Sequence, residues 1–456
     1  MINVEALQNI VGKDWVITKR EQMESYLVDE TAPVMKLKPA DNVVVVKPAN
    51  SEEISEIMKL ANRDKTIVYP RGAGTGLVGG AIPSQDGVVL SLERLDKIEE
   101  VDKENLMVVA EAGVTLGDLL KAVEDADMLF PPHPGDEGAQ VGGVVACNAG
   151  GTRAVKYGVI RSYVKGMEVV LPTGEIVSWG GKLLKNNTGL DLMQLMIDSE
   201  GILGIITRVT FRLYPKFAGI ATLIVSYDDR HAAINAVPKI LQSGVIPLAV
   251  EYIERDAVDV STEYLGLKWP AEKGNAYLMI IVTGVNEDDV YAQCEKISEV
   301  CQGYGALDVL IAERREEQAD ILKIRSEMYS ALKPRVADIM DAAVPPAEMA
   351  NLMDTIDEIA EEYHTHIITF GHAGDGNLHS HILRDVYERG QLHEVKDRIY
   401  REAVALGGVV TAEHGIGKIR LPNLSLCVDE KSLEIMKAIK KVFDPNNILN
   451  PGTAIG

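Results

Sequence analysis

Cysteine is scarce in this 456-residue chain, and the few present form no pattern. Cys147, Cys294, Cys301 and Cys427 make no C-x-x-C pair and no iron–sulfur spacing. Cys294 and Cys301 fall about two turns apart on one predicted helix, too far for an unstrained disulfide, so a reducing compartment is expected. No apolar run approaches the roughly 18 residues that a membrane-spanning helix needs. The opening Met1-Ile-Asn-Val-Glu-Ala has neither the basic nor the apolar stretch of a secretory signal, and a cytoplasmic location is expected. Positive charge is also short. Lys and Arg number 46 against 68 Asp and Glu, a net charge of −22, which argues against nucleic-acid binding and against docking on anionic lipid. An anionic substrate is not excluded, because a few local cations can reverse the field inside a cleft. Repeats and low-complexity segments are absent.

The length implies two or three domains. Residues 1–214 read as mixed α/β with glycine-rich connections. A buried-type strand at 43–47 leads to Asn50-x-x-Glu53, a capping pair opening a helix to about Asn62. A strand follows at 66–69, then strands near 88–92 and 106–112, then a helix capped by Thr115. From 215 the pattern becomes strand 218–226, helix 230–242, strand 247–254, strand 276–284, helix 287–302 and strand 306–312. That is the βαββαβ order of a ferredoxin-like unit. A substrate or cap domain over 215–414 is expected, with a segment 415–456 marked by glycine and proline.

The 40 glycines cluster. Gly74-Thr-Gly76-Leu-Val-Gly79 follows a strand and matches G-x-G-x-x-G. The residues after it, Gly80-Ala-Ile-Pro83-Ser-Gln-Asp-Gly87, are turn formers where a dinucleotide fold would start a helix. NAD binding is therefore rejected. Two readings remain, a backbone nest for a pyrophosphate and a plain glycine-rich connection. A second cluster runs from Pro131-Pro-His-Pro134-Gly135 through Gly142-Gly-Val-Val-Ala-Cys-Asn148-Ala-Gly150-Gly151-Thr-Arg153 to Tyr157-Gly158. A third is Ser199-Glu200-Gly201-Ile-Leu-Gly204-Ile-Ile206. In this order and spacing, the three resemble the FAD domain of the vanillyl-alcohol-oxidase/p-cresol-methylhydroxylase type. The resemblance implies non-covalent FAD. Arg71, Gly72, Ala73, Gly74, Thr75 and Gly76 would form its pyrophosphate loop, and Pro134, Gly135, Gly142, Asn148, Gly150, Gly151, Tyr157, Gly158, Glu200, Gly201 and Ile206 would line its ribityl chain and flavin. No His or Cys stands where a covalent link could be argued.

The densest group of chemistry-bearing residues is Phe370-Gly-His372-Ala-Gly-Asp375-Gly-Asn-Leu-His379-Ser-His381, with Thr411-Ala-Glu413-His414-Gly-Ile-Gly417 further on. Ala373-Gly-Asp-Gly376 is a turn, so a hairpin should carry His372 and His379 at its closed end. Two imidazoles and a carboxylate with open positions make a catalytic divalent-metal set, although paired strand histidines also occur as hydrogen-bonded core residues. These motifs resemble the glycolate oxidase catalytic subunit, D-lactate dehydrogenase and D-2-hydroxyglutarate dehydrogenase group. The resemblance implies that His372, His379 and Glu413 hold one divalent ion (zinc, iron or manganese) and that His414 is the base. His381, on the same side of its strand, is a competing ligand. The stretch Asp444-Pro-Asn-Asn-Ile-Leu-Asn450-Pro-Gly is similar to the family tail that returns to the FAD domain, so Asn450 joins the cofactor set. Thr453 stands where that family often has Lys.

Oxidation of R–CH(OH)–COO⁻ also needs a cation for the carboxylate. Arg325 resembles the family's substrate arginine, with Lys333 and Arg335 as further candidates. The expected fold is α+β: a two-part FAD domain, 1–214 plus the 415–456 segment, under a ferredoxin-like cap. The expected activity is FAD-dependent oxidation of a D-2-hydroxy acid such as D-lactate or glycolate. With no NAD site and no cluster cysteines, electrons must leave to oxygen, a quinone or a protein, electron-transfer flavoprotein being the preferred acceptor. Such a protein partner would make a hetero-oligomer, and self-association a homo-oligomer. The rival readings are a D-2-hydroxyglutarate dehydrogenase, a non-catalytic FAD-containing electron-transfer subunit and a metal hydrolase.

Overall fold

Valine-rich runs build the first sheet. In the computed structural model, which describes residues 2–35, 37–312 and 314–456, β1 (Val16–Ile17), β2 (Val43–Val46), β3 (Ile67–Arg71) and β4 (Gly87–Ser91) lie in the order β1-β2-β4-β3. The last three are parallel and β1 pairs antiparallel at the edge. Every residue of β2 is buried, as a strand covered on both faces requires. The helix Ser51–Asp64 joins β2 to β3. Asn50 Oδ1 accepts the Glu53 amide at 2.8 Å, and the Glu53 carboxylate accepts the Ala49 amide at 2.7 Å.

A second, antiparallel sheet contains β5 (Ile98–Asp102), β6 (Met107–Glu111), β8 (Val164–Val170), β9 (Ile176–Gly180) and β10 (Ile205–Arg212), in the order β5-β6-β10-β8-β9. A short ladder pairs β7 (Met128–Leu129) with β11 (Tyr214–Pro215). Thr115 caps the helix Leu116–Asp125 by accepting the Asp118 amide at 3.1 Å.

The third sheet has seven antiparallel strands: β12 (Gly219–Tyr227), β13 (Ala249–Glu254), β14 (Ala276–Gly284), β15 (Asp308–Ala312), β16 (Val336–Ala343), β17 (Ile367–His372) and β18 (Asn377–Leu383). Their order is β15-β12-β14-β13-β17-β18-β16. The first four sit fourth-first-third-second, the ferredoxin-like arrangement that the βαββαβ order predicts. Helices Arg230–Gln242 and Glu287–Gly303 pack on this unit through a shared apolar core. A helix that the sequence pattern did not reveal, Arg255–Leu265, fills the β13–β14 connection, burying Ala257, Val258 and Ser261 at helical spacing. The unit does not stop at β13. β17 pairs with the outer edge of β13 and is followed in space by β18 and β16, so the sheet is extended by the strands that carry the histidines.

After the helix Glu430–Phe443 the chain returns to the first sheet. The Val68 amide donates to Ile448 O at 2.8 Å, and the Asn450 amide donates to Val68 O at 2.9 Å. Lys440 Nζ, buried, donates to the Asp444 carboxylate at 2.5 Å and to Ile202 O and Leu449 O at 2.8 Å. Among the described residues no helix is long and apolar enough to cross a membrane.

Candidate active site

The hairpin β17–β18 places the first two imidazoles. Its turn, Ala373–Asp375, ends at Gly376 with φ 84°, and a Cβ there would lie 1.9 Å from Val344 O, so only glycine fits. Phe370 faces His379 across the ladder and His372 faces Asn377. The rings of His372 and His379 come within 5.3 Å, nearly perpendicular at 88°. The segment after residue 408 crosses the end of β16 through the bridges Ala343–Val409 and Asp341–Thr411, and so brings up Glu413 and His414. The His414 ring stacks on His379 at 5.1 Å and 12°.

Glu413 is the centre of this group. Its Oε1 lies 3.3 Å from His372 Nε2, 3.2 Å from His379 Nε2 and 3.7 Å from His414 Nε2. Two ligands each about 2.0–2.1 Å from a tetrahedral ion stand about 3.3–3.4 Å apart, so His372 and His379 each lie at a ligand-to-ligand distance from Glu413, while the group whose atoms all lie within 4.8 Å of one another is Asp341, His379, Glu413 and His414. Burial opposes charge on His372, but the Glu251 and Glu413 carboxylates overcome it and hold its pKa well above the usual value. Burial likewise opposes charge on Glu413, and the two imidazoles reverse this, holding its carboxyl well below the ordinary range. His414 behaves oppositely. Burial lowers it to about 4, with His379 and Arg420 acting in the same direction, so it is neutral at working pH.

Three supports behind the cluster carry no motif in the sequence. Glu251, on β13 and with a fully buried side chain, bonds His372 Nδ1 at 2.7 Å and accepts Arg325 Nε and Nη2 at 2.8 and 2.6 Å. Asp341, on β16, stands behind His379 and His414, and Arg420 stands behind Asp341. A carboxylate inside an apolar strand is the only signal that either acid offers, since a buried charge needs a partner.

The remaining candidates divide. Arg325 is within the group, over the Phe370 ring at 5.1 Å. Lys333 pairs instead with Glu30 and sits 5.9 Å from the Tyr329 ring. His381 stands outside the cluster, stacked on Phe370 at 4.3 Å with Nδ1 3.1 Å from Ile368 O, and burial depresses its pKa to about 3.

The glycine loops meet the same site from the other side. A Cβ on Gly150 would lie 2.7 Å from Glu413 Oε2, so the 148–151 loop touches the histidine cluster. Asn148, with φ 47°, accepts the Arg161 amide on Oδ1 at 3.0 Å, and Gly151 packs on His133 O. Tyr157 closes the short helix Ala154–Tyr157, ended by Gly158 at φ 73°. Gly142 lies in the helix Val141–Ala146 and donates its amide to Ala112 O at 2.9 Å. Pro134 touches Gly151, Gly135 is open to its surroundings, and Ile206 is buried in β10.

At the loop 71–76, the Arg71 guanidinium is buried. Nη2 donates to Ser25 O at 2.7 Å, while Nη1 has no partner. A buried orphan donor beside Gly72, Ala73, Gly74, Thr75 and Gly76 suits an anionic group such as a pyrophosphate. Gly201 packs on Pro70 at the start of this loop. Glu200 turns its carboxylate to the C-terminal segment, accepting the amides of Ile416 and Gly417 at 2.8 and 2.7 Å. Asn450 Nδ2 donates to Glu200 O at 3.0 Å. Backbone from three distant glycine clusters thus surrounds one end of the site and side chains the other.

Comparison with known proteins agrees with this division. Residues 43–180 match the family described as "FAD binding domain" and residues 218–454 match "FAD linked oxidases, C-terminal domain". A D-lactate dehydrogenase of Archaeoglobus fulgidus is 42% identical over 95% of this chain and 96% of its own length. A D-lactate dehydrogenase of Anaerostipes hadrus is 38% identical over 98% and 96%. The glycolate oxidase subunit GlcD of Bacillus subtilis is 38% identical over 90% and 88%. Among solved structures, p-cresol methylhydroxylase with substrate bound superposes with a TM-score of 0.78 at 17% identity, covering 99% of this chain and 96% of that one, which establishes the shared fold.

Proposed function

The chain belongs to the FAD-linked oxidases, and from that membership we propose that it oxidises a small D-2-hydroxy acid, D-lactate first and glycolate second, to the 2-oxo acid. The observation that carries this reading is the convergence of His372, His379 and His414 on one oxygen of Glu413, directly against the 148–151 loop. Such a cluster has no use in a subunit that only conducts electrons, and a metal hydrolase would leave the glycine loops without a task.

His372, His379 and Glu413 hold a divalent ion, and the loops 71–76, 148–151 and 200–201 with Asn450 hold FAD non-covalently. When bound, the ion supplies Lewis acidity to the substrate hydroxyl and the flavin a two-electron acceptor. His414, neutral and next to the ligand Glu413, takes the hydroxyl proton on its imidazole. Asp341 Oδ2, 3.7 Å from His414 Nδ1, favours the imidazolium that results. Arg325, held by Glu251, directs its guanidinium toward the substrate carboxylate.

A monocarboxylate is preferred over 2-hydroxyglutarate. Relatives 38–42% identical to this chain are named D-lactate dehydrogenase and glycolate oxidase subunit. Electrons pass onward to a partner protein of the electron-transfer flavoprotein kind.

The deciding measurement is an anaerobic visible spectrum of the purified protein with D-lactate, L-lactate and glycolate added in turn. Bleaching of the oxidised-flavin band by D-lactate or glycolate and not by L-lactate is the expected result. Bleaching by D-2-hydroxyglutarate alone would overturn the monocarboxylate assignment. Rapid reoxidation by air alone would overturn the need for a protein acceptor.

A further inference from the structure

Asp341 lies in the sequence Ala337-Asp-Ile-Met-Asp341-Ala-Ala-Val344, where it looks like a polar interruption of an apolar strand. In space it is the most heavily bonded side chain of the site, and it is fully buried. Its Oδ2 accepts the Thr411 hydroxyl at 2.6 Å and three successive amides, Ala412 at 3.0 Å, Glu413 at 3.1 Å and His414 at 2.8 Å. Arg420 Nη1 adds a fifth donor at 3.4 Å. Oδ1 accepts Asn377 Nδ2 at 3.0 Å and faces His379 Nδ1 at 3.5 Å. Arg420 is fixed in turn, donating to Thr411 Oγ1 at 2.8 Å, Gly415 O at 3.1 Å and Ile339 O at 3.0 Å.

Asp341, His379, Glu413 and His414 are all close enough to ligate one ion together. The donors around Asp341 argue against that role for it. An oxygen already saturated by five donors has no lone pair to spare, and the other oxygen is committed to Asn377 and directed at the far nitrogen of a ligand imidazole. Wrapping 412–414 around a carboxylate is also the reverse of ordinary loop behaviour. Residues 412–414 have no regular structure; the Ala412 amide also donates to Asp341 O at 3.0 Å, whereas the amides of half-buried Glu413 and His414 are met by Oδ2.

We infer that Asp341 is the positioning residue of the site. One carboxylate on a rigid strand holds Glu413 and His414 through their own amides, and its charge stands 3.5 Å from His379 Nδ1, a buried atom with no hydrogen-bond partner of its own. It thereby sets the ion's ligands and the base relative to one another. The inference rests on the proposed function for its effect on turnover, but not for its effect on the loop or on metal affinity.

Asp341→Asn is close to isosteric, and it sets an NH₂ against a shell of donors whichever way the amide is turned. The test compares it with the natural chain, both full length and FAD-loaded. Four quantities are read: flavin content, hydrogen exchange of the 411–415 segment, the Kd for Mn²⁺ and Zn²⁺, and kcat and KM for D-lactate. Flavin content is expected to be unchanged and the amides of Ala412, Glu413 and His414 to exchange faster. Metal affinity should fall about 10- to 100-fold. At saturating metal, kcat should remain about 100-fold down while KM moves only a few-fold, because the base is misplaced by a fraction of an ångström.

Protection, metal Kd and kcat all within about twofold of the natural chain would overturn the inference. So would a lost kcat with protection and metal Kd unchanged. If the natural chain oxidises no D-2-hydroxy acid, the proposed function fails, and the exchange and metal measurements still decide the role of Asp341. If Asp341→Asn does not fold, Thr411→Val, which removes one donor of the five, is expected to show the same changes at about a tenth of their size. No change in that folded variant would count against the inference.

Discussion

Around residues 71–76, 148–151 and 200–201 the site is made of backbone, with amides, small residues and positive φ angles at Gly74, Asn148, Gly151, Glu200 and Gly201. Around β13, β16 and the β17–β18 hairpin it is made of side chains, with three buried groups, Glu251, Asp341 and Arg420, standing behind the imidazoles. The first region presents mostly backbone donors, which side-chain substitutions leave in place, so it is sensitive to added atoms. The second presents groups that any substitution removes, and its fidelity depends on buried acids lying far away in sequence. Away from the point where the two touch, substitutions in the first region are therefore expected to weaken flavin binding and leave metal affinity intact, and those in the second to abolish turnover with flavin retained.

The largest effect expected from breaking this division is His414→Ala. FAD should be retained while kcat falls by about 10²–10⁴, the usual contribution of a general base, as measured by steady-state turnover alongside the flavin spectrum. Normal turnover would remove His414 from the role of base. Next comes Gly150→Ala, which sits where the two regions touch. Its methyl would stand 2.7 Å from Glu413 Oε2, so metal affinity should drop by about 10- to 100-fold in a titration with Zn²⁺ or Mn²⁺, although the altered residue belongs to the flavin loop. On the backbone side, Arg71→Met removes the buried guanidinium beside the 71–76 loop. FAD should dissociate about 10- to 100-fold more readily, followed by flavin fluorescence, with metal binding unchanged.

The pH dependence of metal binding sharpens the comparison further. His372 must be neutral to ligate, and its pKa is raised by Glu251 and Glu413. Below that raised pKa, metal binding displaces a proton, so affinity should strengthen by roughly tenfold per pH unit and level off above it. FAD affinity should show no parallel slope. The smallest effect belongs to Lys333→Ala. Its partner Glu30 is half-exposed, and such a pair contributes about 0–1 kcal/mol, so kcat/KM for D-lactate should change by no more than about threefold.

The sequence made the two regions legible to different depths, for a physical reason. Glycine clusters, the His372–His379 spacing and the adjacent pair Glu413-His414 are local strings, because a tight turn or a shared ion forces neighbours in space to be near neighbours in the chain. The ferredoxin-like order was legible from alternating strand and helix patterns. Glu251, Asp341 and Arg420 were not, since each meets its partner far away in the chain. Glu251 and His372 are 121 residues apart, and Asp341 and His414 are 73 apart. Nothing in the pattern around an isolated acid in a strand says which imidazole it will meet. Arg325 stood out by resemblance, yet the carboxylate that fixes it did not. The helix Arg255–Leu265 was missed because its buried face is built from Ala257, Val258 and Ser261, small residues that leave little hydrophobic contrast.

The return of residues 448–450 to β3 has a consequence for how the protein comes to be made. Val68 is translated about 380 residues before the Ile448 and Asn450 with which it bonds. While the ribosome is still at work, the first sheet has an open edge and Glu200 lacks both Asn450 and the amides of Ile416 and Gly417. Domains that are continuous in the chain can finish folding as they emerge, but this cofactor half cannot. The surroundings of Glu200 are therefore complete only after residues 416–450 have emerged, and flavin held there would be captured late in synthesis or after it.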